Sequence, residues 1–198
     1  MHLNIPFEEP LYNKTYFIDG ESKVIANKNL PEPLSVIAVT EISKIWNNAK
    51  KILILVGQQE QDKALEAVLE KISFKSLILS ETTSNINTVN SVKNIDRLIT
   101  PFNSDECAEF HPDLLITFGG NVVSKRIKAF LRKYSPHTHI HIEDIENPPN
   151  TYQCLTHHYK TSVPYFFEQI LDSIDSSKNE WVQKWIEKDI ERNKNQQK

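Results

Sequence analysis

The sequence contains little glycine, and this scarcity argues against one large class of nucleotide-binding site. Its 198 residues include only Gly20, Gly57, Gly119 and Gly120. The dinucleotide-binding fingerprint needs three glycines spaced as G-x-G-x-x-G, and this pattern occurs nowhere in the chain. We therefore expect no nicotinamide or flavin site of that type. The P-loop, H-E-x-x-H and G-x-S-x-G motifs are absent as well.

Cysteines and long hydrophobic runs are also scarce. Cys107 and Cys154 do not form a paired motif, so neither a disulfide framework nor a cysteine zinc site is expected. The longest apolar runs, such as residues 52–56, are far shorter than the roughly 20 residues that cross a bilayer. The first thirty residues carry four acidic side chains and lack the apolar stretch of a signal peptide. We therefore expect a cytoplasmic protein with no membrane partner.

The net charge and the length of the chain limit the class of partner and the number of domains. The formal net charge is -3 and the isoelectric point is about 6.2, which argues against nucleic acid as the main partner. A chain of 198 residues can form one domain with a substantial core, or one domain plus an arm.

Strand-like and helix-like segments alternate from Ser35 onward. Continuous apolar runs predict buried strands at residues 51–56, 77–79, 113–118 and 138–142. Apolar residues at helical spacing predict amphipathic helices between these strands. This alternation predicts an α/β fold with a doubly wound parallel sheet, Rossmann-like in architecture. Residues 81–94 are rich in Thr, Ser and Asn, and they predict a loop at the carboxyl ends of the strands, where ligands collect.

The two ends of the chain differ from its middle. Residues 1–34 contain four prolines and show no sustained period, so we expect a connector arm there. Residues 35–176 form the predicted α/β domain. Residues 177–198 form a polar C-terminal helix whose Trp181 and Trp185 need a surface to lie on, either the domain's own core or a neighbouring domain. Such ends are typical of connectors between domains of a longer chain.

The most informative stretch runs from strand 113–118 through a double glycine into a helix. Lys125 and Arg126 fall in or near the first turn of that helix, where the helix dipole disfavours each cation by roughly 0.3–1 kcal/mol. A carboxylate or phosphate ligand that rests on free backbone N–H groups, held by both side chains, would compensate. The alternative is that both side chains extend into water, where the unfavourable interaction with the helix dipole costs almost no free energy. The residues that would shape the turn are Gly119, Gly120, Asn121 and Ser124.

Histidines and acidic residues near the predicted strand ends are weaker candidates for metal-binding or ligand-binding residues. His137, His139 and His141 alternate and would share one strand face, which permits a metal site with His157 and His158. We favour the simpler interpretation that they are ordinary, partly exposed residues. Asp144 and Glu146 would lie either on the ligand-binding rim or in a solvated turn. Glu81 follows a strand at about the distance of a ribose-binding acid, but this position alone is too common to carry weight.

Three stretches of this sequence resemble the central domain of one family of thiamine-diphosphate enzymes. They are HLNIPFEEPLY near the start, PDLLITFGGNVVSKRIKAFLR at residues 112–132, and the helix that carries Trp181 and Trp185. The family is the 2-succinyl-5-enolpyruvyl-6-hydroxy-3-cyclohexene-1-carboxylate synthases, or MenD, of menaquinone biosynthesis. The resemblance extends over essentially the whole chain, and its most specific part is the segment from Gly-Gly to Ser-Lys-Arg.

The resemblance implies a function for the longer protein. That enzyme would be a transferase that condenses 2-oxoglutarate with isochorismate and releases carbon dioxide, using thiamine diphosphate and Mg²⁺. In this family the Lys-Arg pair contacts substrate carboxylates, which implies the same role for Lys125 and Arg126. The resemblance also implies flanking pyrimidine- and pyrophosphate-binding domains and a homo-oligomeric enzyme.

The family's cofactor-activating glutamate and its G-D-G metal motif belong to other domains, and this chain contains no Gly-Asp-Gly. We therefore expect no catalytic, cofactor-binding or metal residue in the chain, and no activity from it alone. Two alternatives stay open. One is an autonomous α/β module that binds a nucleotide or phosphorylated metabolite at residues 119–126. The other is a pure scaffold that spaces the catalytic domains.

Overall fold

The structure is a computed structural model, and it describes residues 33–194. The predicted connector arm, residues 1–34, lies almost wholly outside the described residues, as do the last four residues of the predicted C-terminal segment.

The described part is built on a six-stranded, all-parallel sheet. Its strands are β1 (Ile52–Val56), β2 (Ser76–Ser80), β3 (Ser91–Val92), β4 (Leu114–Phe118), β5 (Thr138–Ile142) and β6 (His157–Tyr159). Their spatial order is β3-β2-β1-β4-β5-β6. The predicted α/β, doubly wound fold is confirmed. The strand order reverses between β1 and β4, and in open α/β sheets ligands bind outside the carboxyl ends of the strands at such a point.

Seven α-helices accompany the sheet in residues 33–194. They are α1 (Val36–Asn48), α2 (Lys63–Ile72), α3 (Ile95–Ile99), α4 (Ser104–Phe110), α5 (Lys125–Lys133), α6 (Val163–Ile170) and α7 (Glu180–Lys194). Helices α1, α2 and α6 contribute to one hydrophobic cluster, and α3, α4, α5 and α7 contribute to the other. Strand residues alternate between the two clusters, as side chains on a β-strand must: Ile54 packs in the first and Leu55 in the second. The sheet is therefore buried on both faces.

Helix starts agree with local capping chemistry. The Ser35 hydroxyl accepts the N–H of Ala38 at 3.1 Å, as expected for a cap of α1. The Asp62 carboxylate accepts two N–H groups at the start of α2. The first residue of α1, Val36, is 82% exposed, and the helix buries Ile42 and Trp46 further along.

The exits of β1 and β4 approach each other closely, and glycine makes this possible. Gly57 donates its N–H to Phe118 O at 2.9 Å, and Gly120 donates to Gln58 O at 2.7 Å. A Cβ on Gly57 would lie 2.0 Å from Gly120 O, inside contact distance. Gly119 has φ of 77°, in the left-handed region that favours glycine. Three of the chain's few glycines thus serve this crossing, and they do not form a dinucleotide loop.

Several short elements were not predicted. Residues 81–94 are not loop throughout, because they include a 3₁₀ turn at Thr82–Ser84 and the edge strand β3. The edge strand β6 and the short, acidic helix α4 also lack a clear signal in the sequence. A strand of two or three half-buried residues is too short to show alternation, and α4 owes its start to a capping box between Asn103 and Glu106.

Helix α7 packs on the domain's own core. Trp181, Val182 and Trp185 are buried in the second hydrophobic cluster. Of the two surfaces considered for the tryptophan stripe, the structure therefore shows the domain's own core. No helix among residues 33–194 is both long and apolar enough to cross a membrane.

Candidate functional site

A broad cavity of about 910 Å³ lies at the carboxyl edge of the sheet. Three chain segments form its walls, and each follows the end of a parallel strand. They are residues 81–83 after β2, residues 93–97 after β3, and residues 123–126 after β4. This is the edge at which the strand order predicts ligand binding.

The start of α5 places the predicted cations at this cavity. Ser124 caps the helix, since its Oγ accepts the N–H of Ile127 at 3.1 Å and donates to the Asp96 carboxylate. Lys125 and Arg126 are therefore the first two helical residues, and both are exposed. The first turn of α5 carries no acidic residue. Two adjacent cations thus stand at the positive end of the helix dipole, as predicted.

The cavity lining is more basic than acidic. It includes the cations Lys93, Arg97, Lys125 and Arg126, and the acids Glu81 and Asp96. Arg97 pairs with Asp189 at 3.3 Å, whereas within the described part of the chain Lys125 and Arg126 form no ion pair. The charges of this Lys-Arg pair are therefore available to an anion in the cavity.

Two backbone N–H groups just before α5 are not free. The Glu81 carboxylate accepts the N–H of Val123 at 2.7 Å and the N–H of Ser124 at 2.6 Å. A protein carboxylate therefore occupies two backbone donors beside the Lys-Arg pair. Val123 itself is 69% exposed and precedes α5, so it lies outside the buried face of that helix.

The predicted site residues divide between two pockets. Ser124, Lys125 and Arg126 line the large cavity. The turn residues Gly119, Gly120 and Asn121 instead line a separate pocket of about 300 Å³. That second pocket also includes Lys128, Tyr152, His141 and Glu143. The double glycine thus shapes the β1–β4 crossing and does not itself reach the Lys-Arg cavity.

The three alternating histidines do not behave alike. His137 precedes β5 and is exposed, whereas His139 and His141 are 0% and 5% exposed. The interpretation of these two as ordinary, partly exposed residues was wrong. Thr117 Oγ1 lies 2.8 Å from a ring nitrogen of each, and His141 contacts the Glu143 carboxylate at 3.0 Å. The Thr117 hydroxyl on the neighbouring strand β4 thus gives each buried ring a hydrogen-bond partner.

His139 should make stability depend on pH. Burial, and secondarily the nearby His141, lowers the pKa of His139 from 6.5 to about 3. The ring therefore stays neutral in the folded chain, while the unfolded chain binds a proton below about pH 6.5, so stability falls as the pH drops through that window. From about pH 7.5 to about pH 5.5, urea unfolding should show a loss of about 1.4 kcal/mol from this residue.

The matched variants are His139→Gln and His137→Gln. We expect His139→Gln to remove that share of the pH dependence, whatever it does to stability at neutral pH. His137→Gln, at an exposed position, should leave the pH dependence unchanged. Equal pH dependence in the wild-type chain and His139→Gln would contradict the assignment.

Residues 33–194 contain no group of three or more His, Cys, Asp or Glu side chains that could hold a metal ion. Of the two predicted rim acids, Glu146 pairs with Lys160 at the surface and Asp144 is exposed. Neither lines the large cavity. Sequence reasoning missed the roles of Glu81 and Asp96, and their one available signal was their position shortly after predicted strands.

Fold and cavity together define a Rossmann-like α/β domain with a basic cavity at its carboxyl edge. No protein-family model matches the chain. Curated proteins do match it. It is 37% identical over 184 residues to the 2-succinyl-5-enolpyruvyl-6-hydroxy-3-cyclohexene-1-carboxylate synthase of Flavobacterium psychrophilum, covering 92% of this chain and 33% of that protein.

Two further relatives carry the same name. The protein of Flavobacterium johnsoniae is 40% identical over 174 residues, with 86% of this chain and 31% of that protein covered. The protein of Porphyromonas gingivalis is 31% identical over 175 residues, with 85% and 29% covered. The resemblance to these synthases is confirmed, and the chain spans about a third of the length of the curated relatives it matches.

Among solved structures, an exopolyphosphatase-related protein from Bacteroides fragilis aligns with 78% of this chain and 56% of its own. The TM-score is 0.37 and the sequence identity 12%. A likeness of this size carries no argument about function.

Proposed function

We propose that the chain is the central domain of a thiamine-diphosphate-dependent synthase of menaquinone biosynthesis. The full-length enzyme would condense 2-oxoglutarate, with loss of carbon dioxide, and isochorismate. In this proposal Lys125 and Arg126 contact substrate carboxylates, and the flanking pyrimidine- and pyrophosphate-binding domains supply the rest of the site. The names of the matched relatives, and the third of their length that the chain covers, support it.

One observation carries the proposed contact. Lys125 and Arg126 lie side by side in the first turn of α5, exposed at a cavity of about 910 Å³, and neither pairs with an acid of the described residues. A dicarboxylate in the cavity would neutralise two cations that the helix dipole disfavours. Arg suits bidentate contact with one carboxylate, and Lys acts as a mobile point charge beside it.

In this proposal the cofactor chemistry belongs to other domains of the full-length protein. The sequence has no Gly-Asp-Gly, and residues 33–194 hold no cluster suited to a metal ion. We therefore place the site for Mg²⁺ and thiamine diphosphate in the flanking domains. In the proposal this chain binds and orients substrate carboxylates, and the transfer itself takes place on groups from the flanking domains.

The rival function, an autonomous module for a nucleotide or phosphorylated metabolite, has less support. Such a site would place phosphate on backbone N–H groups at the start of α5. The Glu81 carboxylate already accepts the N–H groups of Val123 and Ser124, and its charge would repel phosphate there.

A condensation assay tests the proposed function. Full-length protein and the 198-residue chain are each incubated with 2-oxoglutarate, isochorismate, thiamine diphosphate and Mg²⁺. We expect product from the full-length protein and none from the chain alone. Product from neither would contradict the proposed reaction, and product from the chain alone would contradict its role as one part of a site.

A further inference from the structure

Glu81 is held rigidly at the carboxyl edge of the sheet. It is the first residue after β2, and its N–H donates to Ser84 Oγ at 2.9 Å. Ser84, which is fully buried, donates that same hydroxyl to Val56 O at the end of β1. The backbone of Glu81 is thereby tied to the two neighbouring strands, which places its side chain at the carboxyl edge of the sheet.

The carboxylate of Glu81 joins this edge to the start of α5. Its Oε2 accepts the N–H of Val123 at 2.7 Å, and its Oε1 accepts the N–H of Ser124 at 2.6 Å. Both oxygens are used, on two consecutive backbone donors. Hydrogen bonds from N–H groups to an ionised carboxylate are among the stronger ones in proteins. The turn that presents Lys125 and Arg126 is therefore fixed from outside the helix.

The same contact occupies two donors of a possible anion site. Backbone N–H groups at a helix start, with cations beside them, are a common resting place for phosphate or sulfate. Here the protein's own carboxylate occupies the two donors just before α5, while the side chains of Lys125 and Arg126 stay exposed at the cavity. An anionic ligand can thus reach the side-chain charges but not these two backbone donors.

We propose that Glu81 is a positioning and specificity-determining residue for the large cavity. It holds the turn before α5 so that Lys125 and Arg126 face the cavity together. It also disfavours small inorganic anions by placing its own negative charge on two of the donors they would use, which leaves the pair to carboxylate groups on extended substrates. This inference rests on the proposed function, because it takes the pair to contact substrate carboxylates.

Replacing Glu81 in the full-length enzyme tests the inference, with inorganic phosphate as the probe. In Glu81→Ala the two N–H groups become free beside Lys125 and Arg126. We expect phosphate to become a competitive inhibitor whose inhibition constant is at least about tenfold lower than in the wild type. The KM for the carboxylate substrate should rise by roughly tenfold, because the turn loses two charge-assisted hydrogen bonds. If Glu81→Ala folds poorly, the near-isosteric variant Glu81→Gln replaces it in the test. Glu81→Gln should show the same changes in phosphate inhibition and in KM, but smaller ones.

Glu66→Ala is the matched control. The Glu66 carboxylate also accepts a backbone N–H, that of Asn87 at 2.9 Å, but Glu66 does not line the cavity. A loss of loop structure in general would change both variants, whereas the proposal expects new phosphate inhibition only at Glu81. Unchanged phosphate sensitivity and KM in both folded Glu81 variants would overturn the role of Glu81.

Calorimetric titration with phosphate separates this inference from the proposed function. Phosphate that binds Glu81→Ala and competes with substrate supports both. Phosphate that binds Glu81→Ala without competing would support the exclusion of small anions by Glu81 and contradict the proposed substrate contact, and with it the positioning role.

Discussion

The double substitution Lys125→Ala/Arg126→Ala in the full-length enzyme is expected to lower kcat/KM for the condensation about 10²–10⁴-fold. A hydrogen bond to a charged group contributes about 1.5–3 kcal/mol, and about 1.4 kcal/mol corresponds to a factor of ten. Most of the loss should be a rise in KM for the substrate whose carboxylate the pair contacts. Steady-state kinetics with each substrate varied in turn measures the effect and identifies that substrate.

Two further variants sharpen this prediction. Lys133→Ala removes a cation from the opposite end of α5, about 12 Å away along the helix, and should leave the kinetics unchanged. Arg126→Lys keeps the charge but loses the planar fork that grips a carboxylate with two bonds, so it should lie between the wild type and alanine. Unchanged kcat and KM in the double variant would leave only a scaffold role for this domain.

Trp185→Ala should have the largest effect on stability. Trp185 is fully buried, and its ring lies 5.1 Å from that of Phe110, 5.6 Å from that of Phe102 and 5.9 Å from that of Trp181. Replacing a buried aromatic side chain by alanine costs about 3–5 kcal/mol, a large part of the roughly 5–15 kcal/mol of a typical domain. Urea unfolding of the 198-residue chain, followed by circular dichroism, measures the difference.

Matched changes on the same helix separate packing from helix propensity. Trp185→Phe keeps a ring and removes an indole N–H that has no partner within residues 33–194, so it should cost much less than alanine. Ile190→Ser, at a position that is 47% exposed, should cost little. A loss below about 1 kcal/mol for Trp185→Ala would show that α7 does not depend on this core.

The central strands of the sheet could be predicted because they consist almost entirely of apolar residues. Residues 52–56 and 114–118 are buried on both faces, so they are nearly continuous apolar runs that a sequence displays directly. The edge strands β3 and β6 are short and carry polar residues, since an edge need not be apolar on both sides. These strands pair with strands that are distant in the sequence, and a local sequence pattern does not predict such pairing.

The candidate site also contains residues that could be predicted from local sequence and residues that could not. Lys125 and Arg126 could be recognised because the conflict between cations and a helix start is local. Glu81 could not, because the donors it holds lie 42 and 43 positions further along the chain. His139 was misjudged for a similar reason: the hydroxyl of Thr117, on the neighbouring strand, accompanies its burial. The geometry that joins such residues comes from strand order, and strand order was not part of the prediction.

The most direct test of the proposed substrate contact is a crystal structure of the full-length enzyme with substrate bound. We expect a substrate carboxylate oxygen about 2.7–2.9 Å from the Arg126 guanidinium, with the Lys125 ammonium beside the same substrate. The Glu81 carboxylate should remain on the N–H groups of Val123 and Ser124. Substrate carboxylates held entirely by other domains, with Lys125 and Arg126 in solvent, would contradict the account.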